Sequence, residues 1–145
     1  MIADRRTSVA FTGHRTYRGA AADTLRRTVG ELYARGFRNF LSGMAVGFDL
    51  AAAEAVLELR ERAPGVRLVA AVPFRGQEMR FSPADRERFR RVLAEADSVE
   101  VLAPAYHRGC YAVRNDFLVD NARVLVAWYD GSPGGTRYTV RRALG

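Results

Sequence analysis

Val124-Leu125-Val126-Ala127-Trp128-Tyr129-Asp130-Gly131-Ser132-Pro133-Gly134-Gly135-Thr136-Arg137-Tyr138-Thr139 is the stretch on which the fold turns. It opens as a short apolar run rich in β-formers, breaks at Asp130-Gly131 and crosses Pro133-Gly134-Gly135. It resumes at Thr136, which the pattern sets as the N-cap of a last helix carrying Tyr138, Val140, Arg141 and Leu144. A strand, a glycine turn and a helix start together aim backbone N–H groups and a positive helix end at an anion. Gly134 and Gly135 have no Cβ, so a phosphate can approach the main chain there. Taken alone, the same turn is equally a tight connection that needs glycine for its dihedrals.

The units upstream repeat the plan. Thr7–Thr12 reads as a strand ending at Gly13-His14-Arg15, followed by a helix from about Ala20 to Arg35 with Leu25, Val29, Leu32 and Tyr33 on its apolar stripe and Gly36 at its end. Phe37–Leu41 reads as a second strand, opening into Ser42-Gly43-Met44-Ala45-Val46-Gly47-Phe48-Asp49. A helix capped by Asp49 then runs to Arg62. Val66–Val72 is an apolar third strand. Ser82-Pro83-Ala84-Asp85 carries the cap, first-turn proline and acidic first turn of a helix start. A short strand near Ser98–Leu102, a helix over Cys110–Asn121 and a strand over Arg123–Tyr129 complete the series. Strands alternating with helices at this spacing predict an α/β fold, a Rossmann-like three-layer α/β/α sandwich with a mostly parallel sheet, in one domain over residues 1–145.

The chain has 145 residues, 48% hydrophobic and 27% charged, enough for one real core. No apolar run reaches the ~18 residues of a membrane span, and the first residues lack the apolar core of a signal peptide. One cysteine excludes an internal disulfide framework and fits a cytoplasmic location; Cys110 has no base beside it in sequence and reads as inert. Two histidines and one cysteine make no zinc site, so neither a metal nor a cofactor is expected. The net charge is +7, and all 23 basic residues are arginine. Guanidinium suits phosphate, but an arginine count cannot separate a nucleic-acid surface from a GC-rich coding sequence.

In an open α/β sheet, ligands bind outside the carboxyl ends of the strands. Three glycine-bearing loops fall at such ends: Gly13-His14-Arg15, Ser42-Gly43 through Gly47, and Gly131 through Thr136. None is a dinucleotide fingerprint or a P-loop; their coincidence is the signal. Arg15 and Arg114 are phosphate candidates, Asn115 can meet a base or ribose, and Gln77 can reach in from the loop after the third strand. His14 reads equally as a backbone-bonding turn residue. Loop aromatics such as Tyr17, Phe74, Tyr106 and Tyr111 either stack on a base or cover core. Asp116 and Asp120, one helical turn apart, repel unless an arginine or a ligand hydroxyl intervenes.

These motifs, Thr12-Gly13-His14-Arg15, Ser42 through Asp49, Ala52-Ala53-Glu54, Pro73 with Gln77, Tyr111 with Arg114-Asn115, and Gly134-Gly135-Thr136 with Thr139-Val140, resemble the YpsA-like branch of the SLOG superfamily from about residue 8 to 143. That superfamily also holds the DNA-processing protein A domain and the lonely-guy phosphoribohydrolases. The resemblance implies a nucleotide or nucleotide-derived ligand at Gly13, His14, Arg15, Ser42, Gly43, Asp49, Gln77, Arg114, Asn115, Gly134, Gly135 and Thr136, a sensor role, and a homodimer. Thr139 stands where the lonely-guy hydrolases carry a glutamate, and a hydroxyl cannot do the work of a carboxylate there. Glu54 is the carboxylate left for a nucleoside 5′-monophosphate hydrolase reading. A single-stranded nucleic-acid partner, suggested by charge and by kinship, is the third reading; a membrane partner is not expected.

Overall fold

The computed structural model describes residues 4–145. Five strands, β1 (Ser8–Gly13), β2 (Asn39–Ser42), β3 (Arg67–Val72), β4 (Ser98–Val101) and β5 (Val124–Trp128), form one all-parallel sheet in the order β4-β3-β2-β1-β5. Helices α1 (Ala22–Ala34), α2 (Phe48–Arg60) and α3 (Pro83–Glu95) cover one face, and α4 (Cys110–Asp120) and α5 (Gly135–Leu144) the other. This is the Rossmann-like α/β/α arrangement expected from the strand–helix alternation.

The sequence pattern explains the layering. Along β3, Leu68, Ala70 and Val72 join the core beneath α1–α3, while Val69 and Ala71 join the core beneath α4. A strand buried on both faces needs such an unbroken apolar run. Phe11 and Phe40, both fully buried, stack across β1 and β2 at 6.2 Å, with Phe48 of α2 edge-on to Phe11 at 6.4 Å.

Element ends differ from expectation for local reasons. β2 begins at Asn39 rather than Phe37 because Phe37 is spent on closing α1: Gly36 at φ +100° donates to Tyr33 O, and Phe37 donates to Leu32 O. That pair of bonds is a Schellman closure. α1 begins at Ala22, after a turn at Gly19 (φ +96°). The Ser82 hydroxyl caps α3 as expected, accepting from Asp85 N at 3.2 Å. Two caps are corrected. Gly47, not Asp49, caps α2, because Asp49 already lies in the first turn and its carboxylate reaches back to Ala45 N at 3.4 Å. Gly134, not Thr136, caps α5; its φ of +136° turns the chain, and Thr136 lies buried inside the first turn. Among the described residues no helix is long and apolar enough to cross a membrane.

Candidate functional site

An all-parallel sheet puts every strand-to-helix loop on one edge, so the three glycine loops meet there. The first two are in backbone contact. Phe48 N donates to His14 O at 3.3 Å. A Cβ on Gly47 (φ +82°) would lie 2.5 Å from Arg15 O, and one on Gly13 would lie 2.5 Å from the Phe48 side chain. Both glycines are therefore required by close approach. In the second loop, the Ser42 hydroxyl accepts from Met44 N (3.2 Å) and donates to Asp49 O (2.9 Å), which leaves it a structural brace. Met44, fully buried, is the one non-glycine residue at positive φ (65°) among those described.

Arg114 comes in from α4 and is 6% exposed, not the surface residue that a helix with neighbouring aspartates suggests. Its Nη1 donates to Gly43 O at 2.6 Å and its Nε to Asn115 Oδ1 at 2.7 Å. A Cβ on Gly43 would fall 2.7 Å from Arg114 Cδ, so that glycine makes room for the guanidinium. Two of the five Arg114 N–H groups are thus used internally, and Arg114 anchors the second loop to α4. Asn115 also approaches the third loop, its Nδ2 lying 3.6 Å from where a Gly135 Cβ would be.

Asp49 shares this buried ground. Burial pushes its carboxyl up to about 6, against the opposing pull of Arg114, the Ala45 N–H and Arg15. Its Oδ1 has no partner among the described residues, and neither has Oε1 of Gln77, which is 2% exposed. Burial likewise pulls the Arg114 guanidinium below its ordinary range, with Asp49 opposing.

The chain steps outward from β1 to β4 and returns beside β1 as β5, so the topological switch lies between β1 and β5. There His14 Nε2 sits 3.0 Å from Asp130 Oδ1, bridging the two loops. Open space lies on the other side of Arg15. A groove of about 530 Å³ runs between the Arg15–Gly19 segment and α1, α2 and α3. A smaller one of about 220 Å³ is lined by Gln77, Arg80 and Tyr111. They share Arg15, Val46 and Asp85. Exposed Arg15 stands at this junction with its guanidinium 5.4 Å from the Tyr111 ring centre.

The structure therefore gathers Gly13, His14, Arg15, Ser42, Gly43, Asp49, Gln77, Arg114, Asn115, Gly134, Gly135 and Thr136 at one edge, with Ser42, Gly43, Asp49, Gln77, Arg114, Asn115 and Thr136 beneath the surface. Glu54 lines the larger groove, held by Arg88 in a bidentate pair at 2.6 and 3.1 Å. Arg88 also reaches Asp85 at 3.3 Å. Thr139 is fully buried and donates to Gly135 O at 2.9 Å. Sequence reasoning missed Arg80, whose guanidinium lies 4.3 Å from the Tyr106 ring centre and 5.4 Å from that of Phe74, and Arg88. Neither carries a local motif. Arg142, at 2.7 Å from Asp116 and 2.8 Å from Asp120, is the arginine that relieves their repulsion. Cys110 is buried, as an inert thiol would be.

A family model described as the YspA SLOG family matches residues 10–144. The chain is 38% identical over 94 residues to a UPF0398 protein of Shouchella clausii, a match covering 63% of this chain and 50% of that protein. It spans between half and two thirds of the length of the first curated relatives it matches. Among solved structures, DNA processing protein A from Streptococcus pneumoniae superposes with a TM-score of 0.68 at 19% identity, over 96% of this chain and 47% of that one. DNA processing protein A from Helicobacter pylori, described for its single-stranded DNA binding mode, gives 0.65 at 19% identity, over 96% and 61%. At that identity the likeness is one of fold. With nearly its whole length covered by the family model, the chain belongs to the YspA SLOG family.

Proposed function

We propose that this SLOG domain binds a nucleotide or nucleotide-derived ligand in the double groove at the carboxyl edge of the sheet and acts as a sensor of it. The observation that carries the reading is Arg15, an exposed guanidinium set against Tyr111 where the two grooves join. Gln77, whose buried amide oxygen has no partner among the described residues, lines the smaller groove with it. A phosphate is met by Arg15 and the N-terminal end of α2, a base by Tyr111 and Gln77, and the larger groove, about 530 Å³, is in the range of small-molecule sites. Of the carboxylates in the groove, Glu54 and Asp85 are engaged by Arg88 and Glu58 by Arg26 at 3.5 Å, which supports binding rather than cleavage of an N-glycosidic bond. Calorimetric and thermal-shift titration with AMP and ADP-ribose tests the reading. Arg15→Ala should weaken binding by about ten- to a hundredfold, the range of a charge-assisted hydrogen bond. Absence of any heat or shift with folded protein would refute it. Light scattering on the same samples reads the homodimer that the family resemblance implies.

A second partner, single-stranded nucleic acid, is favoured by the +7 charge together with the fold shared with the Helicobacter pylori protein. Its signature is an affinity for an oligonucleotide that falls steeply with salt. A flat response, or no retention at low salt, would remove it.

A further inference from the structure

We propose that the opposite, amino-terminal edge of the sheet, through Arg35, Arg67 and Arg123, is where a single-stranded nucleic acid lays its phosphate backbone; this rests on the nucleic-acid reading above and gives it a location. The sheet register makes the row. Arg67 on β3 is level with Asn39 on β2, Asn39 with Ser8 on β1, and Arg123 directly precedes Val124, the partner of Val9. Arg123 and Arg67 thus flank β1 and β2 at one level, about 14 Å apart at the usual strand spacing. Arg35 follows the last turn of α1 at the same edge. With Arg6, Phe37 and Arg123 it lines a concavity of about 430 Å³, where the Arg123 guanidinium lies 6.0 Å from the Phe37 ring centre.

Three carboxylates of this edge are taken, while Glu31, Glu61 and Glu95 at the ends of α1, α2 and α3 are exposed and have no ion pair among the described residues. Asp4 pairs with Arg6 at 3.0 Å, Asp97 with Arg60 at 2.7 Å, and Asp120 with Arg142 at 2.8 Å. Arg35, Arg67 and Arg123 are exposed and have no carboxylate within 4 Å among the described residues. Arg35 opposes the negative end of α1, and Arg67 and Arg123 stand at strand starts on the edge where the other negative helix ends gather, Arg123 three residues after the end of α4.

The row also discriminates between polyanions. An acidic protein partner needs aromatic or aliphatic anchors at the centre of its contact. Among the large apolar side chains exposed in the described residues, Met79, Tyr106, Val113 and Tyr138 lie elsewhere, and Leu144 at the end of α5 stands at the margin of this edge. Charge with one apolar side chain at its margin and none at its centre is the character of a phosphodiester contact, held by guanidinium forks and counterion release.

The test is fluorescence anisotropy of a labelled oligothymidylate across a salt series. The proteins are the parent chain, the triple variant Arg35→Gln/Arg67→Gln/Arg123→Gln, and Arg15→Gln/Arg80→Gln at the other edge. The triple variant is expected to lose tenfold or more in affinity at low salt. Its slope of log affinity against log salt should flatten by about 2, at about 0.7 per phosphate contact. The carboxyl-edge variant and added AMP should leave binding in place. If the triple variant does not fold by circular dichroism, each single variant should flatten the slope by about 0.7. Unchanged binding by the amino-edge variants, or loss confined to Arg15→Gln/Arg80→Gln, would overturn the location while keeping the nucleic-acid reading. No binding by the parent chain would end both.

Discussion

Replacing Gly47 by alanine tests how the candidate site is built. Gly47 has φ +82° and ψ −123°, a region that is the mirror of the β basin and is open to glycine but not to an L side chain. Holding alanine there costs about 1–3 kcal/mol in backbone strain. The new methyl would also sit 2.5 Å from Arg15 O and 2.8 Å from Arg15 Cα. Those are backbone atoms, so no side chain can swing aside, and relief means pushing the two loops apart, at about 1–3 kcal/mol as for overpacking. Gly109→Ala is the control. It has φ +89° in the left-handed region, but nothing lies within 4 Å of its added methyl, so only about 1–2 kcal/mol is at stake. Urea unfolding of the two variants at neutral pH should place Gly47→Ala about 1–4 kcal/mol below Gly109→Ala. In a domain of this size that is about 2–4 °C in Tm per kcal/mol. Because the displaced atoms belong to Arg15, the same variant should weaken nucleotide binding out of proportion to its stability loss. Equal stabilities for the two variants would refute the close contact between the loops, and with it the placing of Arg15.

Other consequences follow from single contacts. Burial raises the Asp49 carboxyl to about 6, above the ~3.9 of an unfolded chain, so the native state holds this proton more tightly; its contribution to stability should be full below about pH 4 and be lost, about 2–3 kcal/mol, as pH rises through 6. Asp49→Asn, which keeps an acceptor for Ala45 N, should remove that slope in denaturant melts taken from pH 4 to 7, and a slope that persists would assign the titration elsewhere. Ser82→Ala should cost about 1 kcal/mol by chemical denaturation through loss of the α3 cap, and a neutral result would count against that cap. Thr139→Glu, which writes the hydrolase glutamate into the motif, should lower stability by more than about 2 kcal/mol, because the position is fully sealed. A stable Thr139→Glu protein would mean that this side of α5 opens to the groove.

The fold was legible because its signals are local. Periodicity, Gly36 after α1, and Ser82-Pro83 before α3 each report on a few neighbouring residues, and the strand–helix alternation then leaves a parallel sheet as the natural outcome. The ligand edge was legible at the level of loops, since a parallel sheet places them together whatever their side chains do. What the sequence hid is the pairing between distant positions. Arg114 reads as a surface residue until Gly43, seventy-one positions away, supplies a carbonyl and the room beside it. Glu54 reads as a candidate acid until Arg88, thirty-four positions on, takes both its oxygens. Asp49 looked like a cap because caps are its commonest use at a helix start. Gly47 pre-empts it, since the approach of Arg15 demands glycine at the position where the helix begins.

The one-way course of the strands has a last electrical consequence. Every helix runs back against the sheet, so all five positive ends gather at the carboxyl edge and all five negative ends at the other, about half an elementary charge each. Left alone, that would make the domain a bar magnet of sorts, offering anions one pole. Arg35, Arg67 and Arg123 offset the second pole from the surface, and Arg38 does so directly, donating to Tyr33 O and Phe37 O at 2.8 and 2.9 Å at the end of α1. On the two proposals above, an anionic guest would then have a seat at each end of the strands, drawn by helix ends at one and by side chains against them at the other.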